Sequence, residues 1–347
     1  TNHAVAADIT LTFGALKRGL LIARQQVGSV AVLDIGLGDS GDDDGAPQLV
    51  TAAWVRETVP AILADAHKGS RKKLAILGGA PGMAGAPVLA ARAAMRSGIG
   101  MVKLVVAAES LAAVQGAEPY ALASEWPSAV ESLSQAMLGW ADAVLLGPGL
   151  GETPLARDLV NRVLQEWRGP VILDADALNL FRGNMDALGG LLKGRPALLT
   201  PHPAEASRLA NVSVQEILSR RFEIGAEIAR ATNSAVLLKG VPTVITAVDG
   251  IRMVSASGTP TLAVAGSGDV LAGIAGALLA QISDPAEAAA CAAWVHGRAA
   301  ELATRGRSVR GVALDDVIRS LGDAWTLSDA APLYPVLAEL PNVGGWT

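Results

Sequence analysis

The 347-residue sequence predicts an α/β fold with a mostly parallel central sheet buried on both faces. Three observations carry that expectation. Continuous aliphatic runs such as "KLAILGG" and "AVLLGPG" recur without the polar alternation of a one-sided sheet. Helical patterns such as "PLARDLVNRVLQEW" fall between several of them, which is the rhythm of βαβ units. The residues that follow the runs are rich in glycine and acids, at the strand ends where open α/β sheets bind ligands.

From the N-terminus, "ITLTFGA" and "SVAVLDIGL" are strand-like but too few to make a domain alone. Acidic and glycine residues then replace the apolar pattern in "GDSGDDDGAPQ", Gly38 to Gln48, which reads as an exposed linker. Further strands are expected at "KLAILGG", "MVKLVVA", "AVLLGPG", "PVILDAD", "PALLTPH", "SAVLLKG" and "PTVITAV". Between them, "APVLAARAAMRS" reads as a helix stopped by Gly98, and "VQEILSRRFEIGAEIARAT" as one helical stretch. The chain is expected to finish helical, over Asp269 to Gln281, Pro285 to Thr304 and Leu314 to Trp325. The tail "PLYPVLAELPNVGGWT" is interrupted by prolines and is expected to dock on a neighbour or to lack order. These readings divide the chain into residues 1–38, a linker 39–48, a main domain 49–330 and a tail 331–347.

Composition narrows the function classes. At 51% hydrophobic the chain can bury a substantial core, and a net charge of −5 leaves no electrostatic footprint for nucleic acid. The single cysteine, Cys291, lies in an apolar helical pattern, so neither a disulfide framework nor a cysteine metal site is available. No apolar run is long enough to span a membrane and no secretory signal pattern is seen, so a cytoplasmic protein is the expectation. The first residue is Thr1 rather than methionine, which suggests an upstream part.

Several segments carry chemistry. In "AVAGSGDVLAGIAGALLAQ", Gly266, Ser267, Gly268 and Asp269 stand at the mouth of an apolar helix. A helix N-terminus flanked by glycines suits phosphate, whereas a capped core helix with tight packing is the plainer reading. Lys239, Gly240, Val241, Pro242 and Thr243 form a strand-end turn that offers an ammonium, amides and a hydroxyl. His202 sits between Pro201 and Pro203, which hold its backbone, and either contacts substrate or makes a structural hydrogen bond. Asp174, Asp176 and Asn179 in "LDADALN" either bind Mg²⁺ through water or cap the helix that follows. Gly78 to Ala86 form a glycine loop, but Gly79, Gly82 and Gly85 lack the strict dinucleotide-binding spacing.

Taken in order, "HKG", the glycine loop, "GPGLG", "LDADALN", "LTPHPAE", "KGVPT" and "AGSGD" resemble the ADP- or ATP-dependent NAD(P)H-hydrate dehydratases. That resemblance implies a ribokinase-like three-layer fold. It implies dehydration of (6S)-NADHX or NADPHX to NADH or NADPH, with ADP or ATP converted to AMP or ADP plus phosphate and Mg²⁺ as cofactor. Bacterial members generally use ADP, and a homo-oligomer, tetramer or larger, is expected. Carried across by motif, Ala86, Gly149, His202 and Asp269 would meet the hydrated nicotinamide, and Lys239 to Thr243 with Gly268 the nucleotide. Asp269 would take the substrate hydroxyl proton, and its position predicts an ionised carboxylate stabilised by the helix dipole. The loop "GTPTLAVAG" departs from the family's "GNPGMATAG" at Thr259, Thr261 and Val264, so altered anion binding or altered loop flexibility is expected there. Asn2 to Leu37 resemble the last strands of an NAD(P)H-hydrate epimerase domain without its substrate loop or catalytic aspartate, which implies a chain that does not epimerise. Two rivals share the same residues: a ribokinase-like kinase of a small alcohol, such as a vitamin precursor or sugar, and a non-catalytic nucleotide-binding protein.

Overall fold

The computed structural model describes residues 4–37, 45–127, 139–327 and 332–343. The first two strands, β1 (Ile9–Phe13) and β2 (Ser29–Leu33), pair in parallel. Ten strands form the main sheet: β3 (Gln48–Leu49), β4 (Lys73–Leu77), β5 (Met101–Val106), β6 (Leu122–Glu125), β7 (Ala143–Leu146), β8 (Val171–Leu173), β9 (Ala197–Leu199), β10 (Ala235–Leu238), β11 (Thr243–Thr246) and β12 (Arg252–Ser255). A last strand, β13 (Val336–Leu340), returns to pair antiparallel with β2. The two N-terminal strands thus gain the third partner that makes a small sheet viable. The proline-interrupted tail supplies it, so of the two expectations for the tail, docking on a neighbour or lacking order, the second does not hold for residues 336–340, which pair with β2 of the same chain.

The main sheet runs in the order β3-β12-β11-β10-β9-β8-β7-β4-β5-β6, with β4 to β10 and β6 all parallel and β11 antiparallel to both neighbours. Beginning at β4, the chain winds outward through β5 and β6, then crosses back to β7 and proceeds the other way. The strand order therefore reverses between β4 and β7, and the crevice beyond their carboxyl ends is the place where such sheets hold ligands. Leu74, Ile76, Leu145 and Ile172 face one core layer, and Leu77, Val144, Leu146 and Leu173 the other. Both faces are covered, as the unbroken aliphatic runs require.

Helices Gly85–Met95, Pro154–Glu166, Pro285–Thr304 and Leu314–Ala324 match the expected stretches within one or two residues. The segment read as one helix from Val214 to Thr232 is broken into Val214–Ser219 and Ile224–Thr232. The break turns Arg221 and Phe222 inward, where both are buried. Of the acidic linker, residues 38–44 lie outside the described residues, and its final residue, Gln48, joins the sheet edge as part of β3. The small N-terminal sheet packs through Leu21, Val27, Val30 and Leu340 onto Phe222, Val244 and Val254, which anchors it over the β11–β12 end of the main sheet. Among the described residues no helix is long and apolar enough to cross a membrane.

Candidate active site

The loops after β4 and β7 meet at the reversal point. Gly149 adopts φ +58°, and a Cβ there would come within 2.7 Å of the Met83 carbonyl oxygen and 3.2 Å of the Ala86 Cβ. Only glycine accommodates both the left-handed backbone and that approach. Ala80 N–H donates to the Gly149 carbonyl at 2.6 Å and Gly79 N–H to that of Pro148 at 3.0 Å, so the two glycine loops are stitched together. Ala86 and Gly149 are thereby neighbours at the reversal point.

Helix Ser267–Leu279 begins beside them. Its Gly273 lies so close to Gly85–Met95 that a Cβ would drive into the Ala90 carbonyl oxygen. The mouth of the helix is set by Gly266, whose φ of +88° is the conformation that disfavours a side chain. No side chain caps this N-terminus. Ser267 instead turns its hydroxyl to within 3.5 Å of the His296 Nε2. The helix starts two residues before the sequence suggests, so Ser267, Gly268 and Asp269 fill its first turn, where the N–H groups have no intrahelical acceptors and the dipole is positive.

Lys239 leaves β10 toward the same point. Its Nζ pairs with Asp174 Oδ1 at 2.5 Å and would sit 3.3 Å from a Cβ placed on Gly268. Asp174 is 1% exposed and the Lys239 side chain 16%, so this is an interior ion pair and not the solvent-facing lysine common at strand ends. Thr200 Oγ1 donates to the same carboxylate oxygen at 2.8 Å. Beneath the turn that follows, the buried Arg221 guanidinium donates to the carbonyls of Lys239 at 3.2 Å and Pro242 at 3.1 Å. Thr243 Oγ1 closes the turn by donating to the Gly240 carbonyl at 3.0 Å. Sequence reasoning missed Arg221. The signal was there, in a paired arginine that interrupts an otherwise amphipathic helical pattern.

The electrostatics of this cluster differ from expectation at Asp269. Burial, and then the like charge of Asp174, push its carboxyl up to about 7, with Lys239 opposing and Asp176 and Glu205 adding to the rise. The helix dipole does not dominate because Asp269 is buried and shares the Lys239 ammonium with Asp174 and Glu205. Glu205 is likewise pushed up to about 7 by burial, against the attraction of Lys239. Burial pulls Lys239 down, but Asp174 and Glu205 outweigh it and hold the ammonium above its ordinary value. His296, fully enclosed, is pulled down to about 4 by burial and by Lys239, and is neutral at pH 7.

His202 is the N-cap of helix Pro203–Ala210. Its Nδ1 accepts from the N–H groups of Ala204 and Glu205 at 3.0 and 3.3 Å, and its Nε2 faces Glu205 Oε1 at 3.2 Å. The ring is thus a structural hydrogen-bonder and, with its side chain 46% exposed, also presents itself to the crevice. Asp176 Oδ2 accepts from Gly151 N–H at 2.8 Å, tying "LDADALN" to "GPGLG", and Asn179 Oδ1 accepts from Arg208 at 3.1 Å. With Asp174 committed to Lys239 and Asn179 to Arg208, these three do not form a direct ligand set for Mg²⁺. Among the described residues no three His, Cys, Asp or Glu side chains are grouped to hold a metal.

From this cluster a cavity of about 540 Å³ extends over Lys239–Thr243, Ser255–Pro260 and the mouth of the Ser267 helix, within the range that takes small molecules and cofactors. Thr259 and Thr261, two of the unusual loop residues, bond each other through their hydroxyls at 2.6 Å, and Val264 is exposed at the rim. The cavity lining brings together His202, Lys239, Gly240, Val241, Pro242, Thr243, Ser267 and Gly268; Asp174 joins them through Lys239, and Gly266 and Asp269 flank Ser267 and Gly268 in the chain, while Ala86 and Gly149 meet each other at the β4–β7 reversal and are not part of that lining.

Known proteins resemble this chain in sequence and fold. The family model for NAD(P)H-hydrate dehydratase matches residues 74–322. The bifunctional NAD(P)H-hydrate repair enzyme of Moorella thermoacetica is 36% identical over 90% of this chain and 61% of its own length. The chain thus spans about three fifths of that relative. The ADP-dependent (S)-NAD(P)H-hydrate dehydratase of Neisseria meningitidis is 38% identical over 69% of this chain and 79% of its own. Among solved structures, the ADP/ATP-dependent NAD(P)H-hydrate dehydratase of Bacillus subtilis, co-crystallised with ATP and Mg²⁺, superposes with a TM-score of 0.72 at 31% identity, covering 81% of this chain and 98% of that one. A ribokinase-like superfamily protein of Enterococcus faecalis, at 23% identity and a TM-score of 0.68, shares the fold. With a match that runs from β4 to the last long helix, this chain belongs to the NAD(P)H-hydrate dehydratase family.

Proposed function

We propose that the chain uses ADP, or ATP in its place, to dehydrate (6S)-NADHX and NADPHX to NADH and NADPH. The observation that carries this reading is Asp269 on the first turn of an uncapped, glycine-opened helix, beside the Lys239 ammonium. The nucleotide's terminal phosphates lie against the N–H groups of Gly268 and Asp269 and against Lys239, which carry positive charge where negative charge accumulates during transfer. The hydrated nicotinamide occupies the crevice over Ala86 and Gly149, with His202 at its edge and its C6 hydroxyl directed at Asp269.

Asp269 removes the hydroxyl proton as the oxygen attacks the terminal phosphorus, and AMP leaves when ADP is the donor. A pKa near 7 suits that role, because a base is most effective when poised near the working pH. The resulting C6 phosphate ester then eliminates: the C6–O bond breaks, a proton is lost from C5, and the C5–C6 double bond of the dihydropyridine returns. Catalysis is positioning and charge stabilisation, as in phosphoryl transfer generally. Mg²⁺ supplies charge neutralisation to nucleotide phosphates in such reactions. Since Asp174, Asp176 and Asn179 do not fit as its direct ligands, no step here runs through it. We further propose a cytoplasmic homo-oligomer, which size-exclusion chromatography with light scattering tests. Incubating the purified chain with chemically hydrated NADH and ADP, ATP or no nucleotide tests the activity. Recovery of the reduced-nicotinamide absorbance only when nucleotide is present supports the reading, and recovery without nucleotide refutes it.

A further inference from the structure

The cavity has a second cationic wall. Arg24 lines it from the N-terminal segment, alongside Leu21, and Val343 lines it from the C-terminal tail. All three lie outside residues 74–322, the stretch matched by the family model. Arg24 is 4% exposed, and its Nη2 donates to the Pro341 carbonyl, which joins the two segments. Its Nε and Nη1 are buried and have no hydrogen-bond partner among the described residues. Leaving charged donors unsatisfied in the interior is unfavourable, and a ligand acceptor is the natural remedy in a side chain that borders a cavity.

The charges that act on Arg24 differ from those around Lys239. Glu301 is the acid that attracts Arg24, whereas Asp174, Glu205 and Asp269 attract Lys239. Glu301 itself accepts from Gly258 N–H at 2.9 Å and from Arg298 at 2.9 Å, which places Arg24 at the Gly258–Gly297 side of the cavity. Apart from Ser255, Ser257 and Thr259, the cavity wall outside the Lys239–Thr243 turn and the helix mouth is largely apolar, with Leu21, Leu271, Ala293, Gly297 and Val343 among its residues. Such walls suit the face of a base and not a second polyphosphate.

We infer that Arg24 reads the nucleoside of the bound nucleotide, donating from Nε and Nη1 to acceptor atoms on the base or ribose while the phosphates occupy the Lys239 end. This rests on the nucleotide reading proposed above. The N-terminal and C-terminal segments then complete the nucleotide site of the dehydratase domain, and Arg24 is a specificity-determining residue.

Titration calorimetry of the full chain with ADP, and separately with inorganic pyrophosphate, tests the assignment. Arg24→Met removes the donors and keeps an unbranched apolar stem. Losing a charge-assisted hydrogen bond to the nucleoside raises the Kd for ADP roughly tenfold to a hundredfold and leaves that for pyrophosphate unchanged. Arg24→Lys, which keeps the charge and gives up the two-donor edge, shows the same selective loss at smaller size and serves if the methionine variant does not fold. An unchanged ADP affinity, or an equal loss for ADP and pyrophosphate, overturns the inference. Failure of the unaltered chain to bind ADP overturns the nucleotide reading itself, and this assignment with it.

Discussion

Replacing Asp269 by asparagine separates its catalytic from its structural contribution. The side chain keeps its shape on the first turn of the Ser267–Leu279 helix but can no longer accept a proton. General-base assistance contributes roughly 10²–10⁴-fold, so kcat for the (6S) hydrate falls by at least about two orders of magnitude. Stability moves the other way. The carboxyl is pushed up to about 7 from 3.8 by burial and by Asp174, so between those values the folded protein holds a proton that the unfolded chain has released. Stability therefore declines as pH rises through that window, and above it the penalty reaches on the order of 4 kcal/mol. Asparagine removes the penalty. Asp269→Asn is expected to melt at a higher temperature than the parent at pH 8 and at about the same temperature at pH 4. In the parent, kcat/KM rises with pH through an apparent pKa of about 7, the pH at which the base becomes ionised. Melting curves at the two pH values and a steady-state pH profile provide the readouts. Near-parental turnover would refute the base assignment, and a lower melting temperature at pH 8 would refute the electrostatic argument.

Three further outcomes are expected. Lys239→Met strands the buried Asp174 carboxylate and lowers stability by about 3–5 kcal/mol in urea denaturation, while Lys239→Met with Asp174→Leu recovers most of that loss; a double variant no better than the single one contradicts the interior ion pair. Gly240→Val forces a side chain onto a backbone at φ +140° and into the Arg221 guanidinium, so nucleotide affinity measured by calorimetry drops sharply while circular dichroism stays native; unchanged affinity would remove the turn from the site. His296 resists protonation until pH falls to about 4, so the unfolded chain takes up a proton that the native state refuses as pH drops below 6.5. Stability is lost across that interval by up to ~3 kcal/mol, and His296→Gln flattens the loss, as acid titrations of urea midpoints would register.

The nine strands read from sequence all formed; those buried in the parallel part of the sheet, such as β4, β7 and β8, were legible because a fully buried parallel strand must be aliphatic throughout. Four strands went unread: β3, β6, β12 and β13, of which β12, with the sequence "RMVS", lies inside the sheet and the others at edges or attachments. β6 has the sequence "LASE" and β3 is two residues long, so neither carries an apolar run. β13 lies between prolines and draws its register from β2, a partner some 300 residues away in the chain. The glycine-opened helix mouth was legible because glycines, an acid and a helix pattern occur together in "AGSGD". Arg221 left a trace in the paired arginine that breaks its helical pattern, but Arg24 and the pairing of Lys239 with Asp174 were not legible, since each depends on which segments the fold brings together. The raised proton affinity of Asp269 follows from the same convergence and has no local signature.

The most direct test of nucleotide-driven dehydration is the stoichiometry of a single turnover with the (6S) hydrate of NADH and ADP, followed by phosphorus NMR and reduced-nicotinamide absorbance. Equal amounts of AMP, inorganic phosphate and NADH are expected. A stable phosphate ester accumulating with AMP, and no NADH, would contradict nucleotide-driven dehydration and identify a kinase of a small alcohol instead.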